Sequence, residues 1–176
     1  MLPRRQSFPL EGHAHEFTFS TYRRRPFFAD SALARCFCTN LMTACQDLSL
    51  ELWAFVVMPN HCHVLVKPKE REYEIPRILK ELKSPVAKQA FALRPDIREM
   101  CMVERSGRKP EYRLWQPGGG YDRNIYSEEA AKNAIEYIHQ NPVKKELCND
   151  ADTWEFSSAK AYAGIVTPWK VDRFIG

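Results

Sequence analysis

The segment 50–67 constrains this chain most. Leu50-Glu51-Leu52-Trp53-Ala54-Phe55-Val56-Val57-Met58 is nearly all apolar, Pro59-Asn60 is a turn, and His61-Cys62-His63-Val64-Leu65-Val66-Lys67 follows. Two β-favouring runs so tightly linked predict an antiparallel hairpin. The near-continuous apolar run places the first of these strands at the centre of a sheet. The rest of the chain must then cover that sheet.

Periodicity supplies the covering elements. Glu16 to Tyr22 alternates apolar and polar residues, which predicts a strand ended by Arg23-Arg24-Arg25-Pro26. Asp30 can cap a helix over about 31–48, with Leu33, Phe37, Leu41, Ala44 and Leu48 on one face. Ile75, Leu79, Leu82, Val86 and Ala90 mark a second helix; Pro76 suits its first turn, and Pro85 is expected to kink it. A basic stretch from Arg105 to Pro110 is weakly patterned, Tyr112–Trp115 is a short strand candidate, and Pro117-Gly118-Gly119-Gly120 is a flexible loop. Ser127, with Glu128 and Glu129 at the positive end, opens a third helix that Pro142 closes.

The order is β-α-β-β-α-β with an additional helix. It predicts an α+β fold of the ferredoxin-like, split-βαβ kind: an antiparallel sheet with helices on one face, plus a C-terminal helix and tail. A length of 176 residues suits one domain. Residues 1–14 read as an N-terminal arm, 15–162 as the domain and 163–176 as a tail. Trp154, Phe156, Tyr162 and Trp169 make the end too apolar to be wholly disordered.

Composition narrows the functional classes. Hydrophobic residues are 44% and charged residues 27%, which excludes a mainly disordered chain, a collagen-like rod and a coiled coil. Net charge is +4 (26 − 22), which permits a polyanionic partner without demanding one. The longest apolar run, Leu52–Met58, is far short of the ~20 residues of a membrane span. Met1-Leu2-Pro3-Arg4-Arg5 lacks the apolar stretch of a secretory signal, so a cytoplasmic protein is expected. Six scattered cysteines without C-x-x-C suggest reduced, structural thiols.

Three groupings can carry chemistry. In a strand, His61 and His63 point to one face while Cys62 points to the other, so two imidazoles can share a divalent ion. A bare H-x-H also suits two exposed polar residues on a sheet. Tyr137 and Asn141 share a helix face beside the stripe Ala131, Ala134, Ile135 and Ile138, so the phenol is not needed in the core. Asn141, placed before Pro142, is either a helix C-cap or an amide oxygen ligand for Mg²⁺ or Mn²⁺. Basic residues form the third grouping: Arg23, Arg24 and Arg25, Lys80 and Lys83, and Arg123 near Trp115 and Tyr121. Phosphate contacts beside stacking aromatics suit single-stranded nucleic acid, although such runs are also ordinary solvated faces.

Together these segments resemble the single-tyrosine HUH transposases of the IS200-like family, and within it the REP-associated tyrosine transposases. The likeness is carried by Val56-Val57-Met58-Pro59-Asn60-His61-Cys62-His63-Val64-Leu65-Val66, by Trp115-Gln116 through Gly118-Gly119-Gly120-Tyr121-Asp122-Arg123, and by Tyr137-Ile138-His139-Gln140-Asn141-Pro142-Val143-Lys144. Trp154-Glu155-Phe156-Ser157-Ser158 with Tyr162 is similar to the family's tail motif. The resemblance implies that His61, His63 and Asn141 hold Mg²⁺ or Mn²⁺, and that Tyr137, on a catalytic C-terminal helix, is the nucleophile. It implies cutting and rejoining of single-stranded DNA at palindromic hairpins near a guide tetranucleotide, through a covalent 5′-phosphotyrosine and a free 3′-OH. Arg4, Arg5, Arg23, Arg24, Arg25, Lys80, Lys83 and Arg123 are candidate DNA contacts. The oligomeric state is open between monomer and homodimer.

Two departures from the family pattern stand out. Lys144-Lys145-Glu146-Leu147 lacks the usual small residue or glycine before the leucine, and the Gly118–Gly120 loop is longer than in many members. Two rival readings remain. One is a catalytically inactive nucleic-acid-binding module on the same sheet. The other is a zinc protein using His61, His63 and a cysteine. Cys62 faces away from the histidines in a strand, and Cys36 and Cys38 are about 200° apart on a helix.

Overall fold

A computed structural model describes residues 12–118 and 120–174. Arg4 and Arg5 lie outside the described residues. In chain order the elements are β1 (Ala14–Ser20), α1 (Ser31–Asp47), β2 (Leu50–Met58), β3 (His61–Pro68), α2 (Ile75–Leu93), α3 (Pro95–Met100), β4 (Met102–Arg105), β5 (Arg108–Tyr112), β6 (Tyr121–Ile125), α4 (Glu128–His139), α5 (Asn141–Lys144) and α6 (Ala159–Tyr162). Short 3₁₀ turns link several of them.

The main sheet is antiparallel, with order β2-β3-β1-β6. That is the expected split-βαβ arrangement, built around the 50–67 hairpin. Its two faces bury different sets. Phe17, Phe19, Phe55, Val57, Cys62, Val64 and Val66 pack against Leu33, Phe37 and Leu41 of α1 and Ile78, Leu82 and Val86 of α2. Ala54, Val56, Met58 and Leu65 pack against Ala131, Ala134, Ile135 and Ile138 of α4. Period-two alternation sorts the strands' side chains between these two layers. Burial of such a Phe or Leu stabilises by roughly 1.5–3 kcal/mol each. A register shift between Leu52 and Ala54 lets Trp53 and Ala54 both face the α4 side.

Several local expectations are corrected. The fourth strand is Tyr121–Ile125, not Tyr112–Trp115. Tyr112 instead ends a separate two-stranded ribbon, β4–β5. Trp115 makes a single bridge to Thr21 and is held as a core residue among Phe19, Phe28 and Phe37, its Nε1 donating to the Lys83 carbonyl at 2.9 Å. Pro142 does not simply close a helix: it sits in the first turn of α5, where its missing N–H costs nothing. α2 runs through Pro85 as one element. The Glu81 carbonyl, left without the Pro85 donor, accepts from Asn40 Nδ2 of α1 at 3.1 Å.

The six cysteines are all free, and five are buried. The tail is stitched to the start of β2. Asp172 N–H donates to the Leu52 carbonyl, its carboxylate accepts from Leu52 N–H, and the Phe174 ring packs 4.7 Å from that of Trp53. No helix among the described residues is long and apolar enough to cross a membrane.

Candidate active site

On the α4 side of the sheet, beyond the apolar patch, β1, β3 and β6 present a row of polar side chains. Their register fixes the neighbours: Thr18 stands opposite His63 on β3 and Tyr121 on β6, and Glu16 stands opposite Arg123. With Arg24, His61, Tyr137, Asn141 and Lys145 they line an open cleft of about 510 Å³. Gly120, just before β6, has φ +79°, and a Cβ there would collide with the Thr18 carbonyl oxygen, so only glycine lets β6 close against β1.

His61 and His63 project from one face, their ring centroids 4.9 Å apart and nearly perpendicular. Each has its Nδ1 occupied: His61 by Asn60 Oδ1 at 2.7 Å, His63 by Thr18 Oγ1 at 2.8 Å. When both Nδ1 atoms carry the proton and donate it, both Nε2 lone pairs are free. Burial, with Arg24 and Lys145 adding, pushes the His61 pKa down to about 4; burial, with His61 adding, pushes His63 down to about 3. Both rings are therefore neutral at pH 7. His63 Nε2 is buried with no hydrogen-bond partner among the described residues. A buried imidazole nitrogen left this way is costly unless something accepts its lone pair. Neutral imidazoles with an outer partner on Nδ1 are the usual form of a metal-binding pair.

The helix supplies the other half. Tyr137 is 45% exposed, outside the buried stripe of α4, and its ring stands edge-on to His63 with centroids 5.5 Å apart. Lys144 Nζ lies 5.2 Å from the centre of the same ring. Asn141 is buried in the first turn of α5, and its Nδ2 donates to the Tyr137 carbonyl at 2.9 Å. Its amide thus satisfies the helix end, as a cap would, while Oδ1 accepts no hydrogen bond among the described residues. Two imidazole nitrogens and one amide oxygen suit Mg²⁺ or Mn²⁺ with positions left open. No group of three His, Cys, Asp or Glu side chains among the described residues could hold a metal, so the zinc reading finds no thiolate, and Cys62 is buried on the opposite face.

The basic residues separate. Arg24 and Arg123 line the cleft, Arg123 Nη2 donating to the buried Glu16 carboxylate at 2.6 Å. Arg23 is exposed, and Arg25 lines a different hollow with Phe27 and Arg94. Lys80 and Lys83 belong to α2, on the other layer; Lys83 Nζ reaches the Gly118 carbonyl at 3.5 Å. Tyr121, read from the sequence as a stacking aromatic near Arg123, lines the cleft, whereas sequence reasoning missed Glu16, Thr18, Asn60 and Lys145. Thr18 was findable in principle, since it alternates with the apolar positions of β1 on the face that His63 shares.

The family profile described as "Transposase IS200 like" matches residues 11–141. The chain belongs to the IS200-like transposase family. Its fold is also that of a solved REP-associated tyrosine transposase bound to a REP hairpin, with TM-score 0.64 and 18% identity over 99% of this chain and 100% of that one. A putative transposase from Deinococcus radiodurans R1 aligns with TM-score 0.49 and 20% identity, covering 80% of this chain and 97% of that one. No curated protein matches. The IS200-like family places this transposase chain among DNA-processing proteins, and the expected sheet topology is the one observed.

Proposed function

We propose that this IS200-like protein is a metal-dependent endonuclease and strand transferase for single-stranded DNA, of the REP-associated branch, acting at palindromic hairpins through a covalent 5′-phosphotyrosine. The observation that carries the reading is the edge-on approach of the Tyr137 ring to His63 in the cleft that also holds His61 and Asn141. A free phenol, with pKa about 10, is a poor nucleophile and needs an activated phosphate. His61, His63 and Asn141 would hold Mg²⁺ or Mn²⁺. When bound, such an ion polarises the phosphodiester and neutralises charge that develops on it.

The chain's own groups do the rest. Thr18 and Asn60 hold the imidazoles in one tautomer. Rigid α4 aims Tyr137, whose oxygen forms a bond to phosphorus as the bond to the 3′ oxygen breaks. The phenolic proton passes to solvent and a proton ends on the leaving 3′-OH. Because the phosphodiester energy is kept in the tyrosine ester, rejoining to another 3′-OH needs no nucleotide cofactor. Arg123 and the exposed Tyr121 offer a phosphate contact and a stacking face. Arg23, Arg25, Lys80 and Lys83 would contact the strand away from the cleft, and Arg4 and Arg5 are further candidate contacts.

The test uses 3′-labelled single strands carrying a palindromic hairpin, incubated with Mn²⁺ or Mg²⁺ and run on a denaturing gel. A protein–DNA adduct that disappears in Tyr137→Phe is expected. Cleavage that persists in Tyr137→Phe overturns the nucleophile assignment.

A further inference from the structure

The turn after β1 carries the most unusual backbone near the cleft. Arg23 and Arg24 are consecutive and both left-handed, with φ of +54° and +52°. A left-handed residue with a Cβ is costly, and such strain persists only where surrounding bonds over-determine it. They do so here. Thr21 Oγ1 donates to the Arg25 carbonyl at 2.6 Å and approaches the Asn60 carbonyl at 3.0 Å. Arg23 N–H donates to Gln116 Oε1 at 3.0 Å, and Gln116 N–H donates to the Ser20 carbonyl at 2.8 Å. The same Asn60 orients His61. The loop is thus tied to the imidazole pair, and its result is that Arg24 lines the cleft.

A second cation comes from the residue that follows α5. Tyr137, Asn141 and Lys145 follow one another at intervals of four residues, and Lys145 N–H donates to the Asn141 carbonyl at 3.1 Å. Lys145 also lines the cleft. The lining holds one carboxylate, Glu16, and Arg123 already engages it. Arg24 and Lys145 have no carboxylate partner among the described residues. Two unpaired cations beside a neutral imidazole pair and an exposed phenol form a receptor for an anion with several oxygens.

We infer that Arg24 and Lys145 clamp the non-bridging oxygens of the phosphodiester that meets Tyr137, with Gln116 as the positioning residue that holds the Arg24 loop. This rests on the reading of the cleft as a phosphodiester-transfer site. A planar guanidinium can engage two phosphate oxygens, and a preorganised cation favours the transition state as charge shifts onto them. The braced loop fixes the backbone from which the Arg24 side chain enters the cleft.

The experiment measures the single-turnover rate of adduct formation at saturating DNA, together with affinity and thermal midpoint. The probe is a pool of 3′-labelled strands bearing a palindromic hairpin flanked by randomised tetranucleotides, with Mn²⁺. Arg24→Gly is the telling variant, because glycine accepts the left-handed backbone. It should slow the saturated rate by about 10²-fold, the order lost with a single oxyanion donor, while the thermal midpoint holds or rises. Lys145→Ala should slow it at least about tenfold, with Arg24→Lys and Lys145→Arg restoring part. Free guanidinium should partly rescue Arg24→Gly. Gln116→Ala should also slow the reaction, and Gln116→Ala with Arg24→Gly should be no slower than Arg24→Gly alone. Unchanged saturated rates with affinity weakened alike for all strands would make both residues plain backbone contacts and overturn the clamp alone. No adduct from the parent protein overturns the nuclease reading and the clamp with it.

Discussion

Thr18 and His63 face each other across β1 and β3, and the Thr18 hydroxyl meets His63 Nδ1 at 2.8 Å. This single bond fixes which nitrogen of His63 is left for the cleft. In Thr18→Val the shape is kept and the partner is lost. The buried Nδ1 then lacks a hydrogen bond, which should cost about 1–3 kcal/mol of stability. Mn²⁺ affinity, read by calorimetric titration, should fall about 10–100-fold, the usual effect of removing such an outer partner. Thr18→Ser should retain most of both. Unaltered affinity in Thr18→Val would show that the hydroxyl does not orient the ring.

Acid should begin to destabilise the protein above the pH at which ordinary carboxylates titrate. His61 and His139 are held down to about 4 and His63 to about 3, by burial first in each case. The unfolded chain binds their protons at about pH 6.5. Between pH 6.5 and 4 the unfolded state therefore carries more protons, so stability rises with pH through this window and is lost as pH falls. The slope approaches about 1.4 kcal/mol per pH unit for each histidine. Urea midpoints from pH 7.5 to 4.5 test this. A flat profile would mean that these rings protonate within the native fold.

The legible part of the fold was its apolar periodicity. The 50–67 hairpin and the faces of α1, α2 and α4 follow from spacing alone, because burial decides them. β6 was missed for a physical reason: Tyr-Asp-Arg-Asn-Ile is a largely polar edge strand, and its extended form comes from pairing with β1. The β4–β5 ribbon likewise owes little to propensity, and Glu111 ties it together through Arg105 and Arg113. In the cleft, the histidine pair was readable as i, i+2 and the Tyr137–Asn141 pair as i, i+4. Glu16, Thr18 and Lys145 were not, since their meeting depends on strand register and on where α5 lies.

The first departure from the family pattern, at Lys144–Leu147, has a structural meaning. After α5, Leu147 N–H donates to the Pro142 carbonyl and Glu146 N–H to the Val143 carbonyl, both at 2.9 Å, with Glu146 at φ +56°. This is a helix end whose left-handed position favours glycine. Glu146→Gly should raise stability by about 0.5–1 kcal/mol, relief of strain outweighing the entropy of a freer unfolded chain. Thermal unfolding checks it, and a lower midpoint would contradict the cap assignment.

The Glu16–Arg123 pair should behave asymmetrically. Glu16 is only 3% exposed, and burial raises its carboxyl pKa against the opposing pull of Arg123. Arg123→Ala would strand that carboxylate, a loss of about 2–3 kcal/mol at pH 7, below the ~3–5 of fully buried pairs because the arginine side chain is one-third exposed. Glu16 would then take up a proton more readily, so the deficit should shrink as pH falls toward 5. Replacing both, as Glu16→Gln with Arg123→Met, leaves no stranded charge and should cost less than Arg123→Ala alone. Urea unfolding of the three proteins at pH 7 and pH 5 decides it. An Arg123→Ala deficit that ignores pH would show that the arginine acts by packing and not by holding the carboxylate ionised.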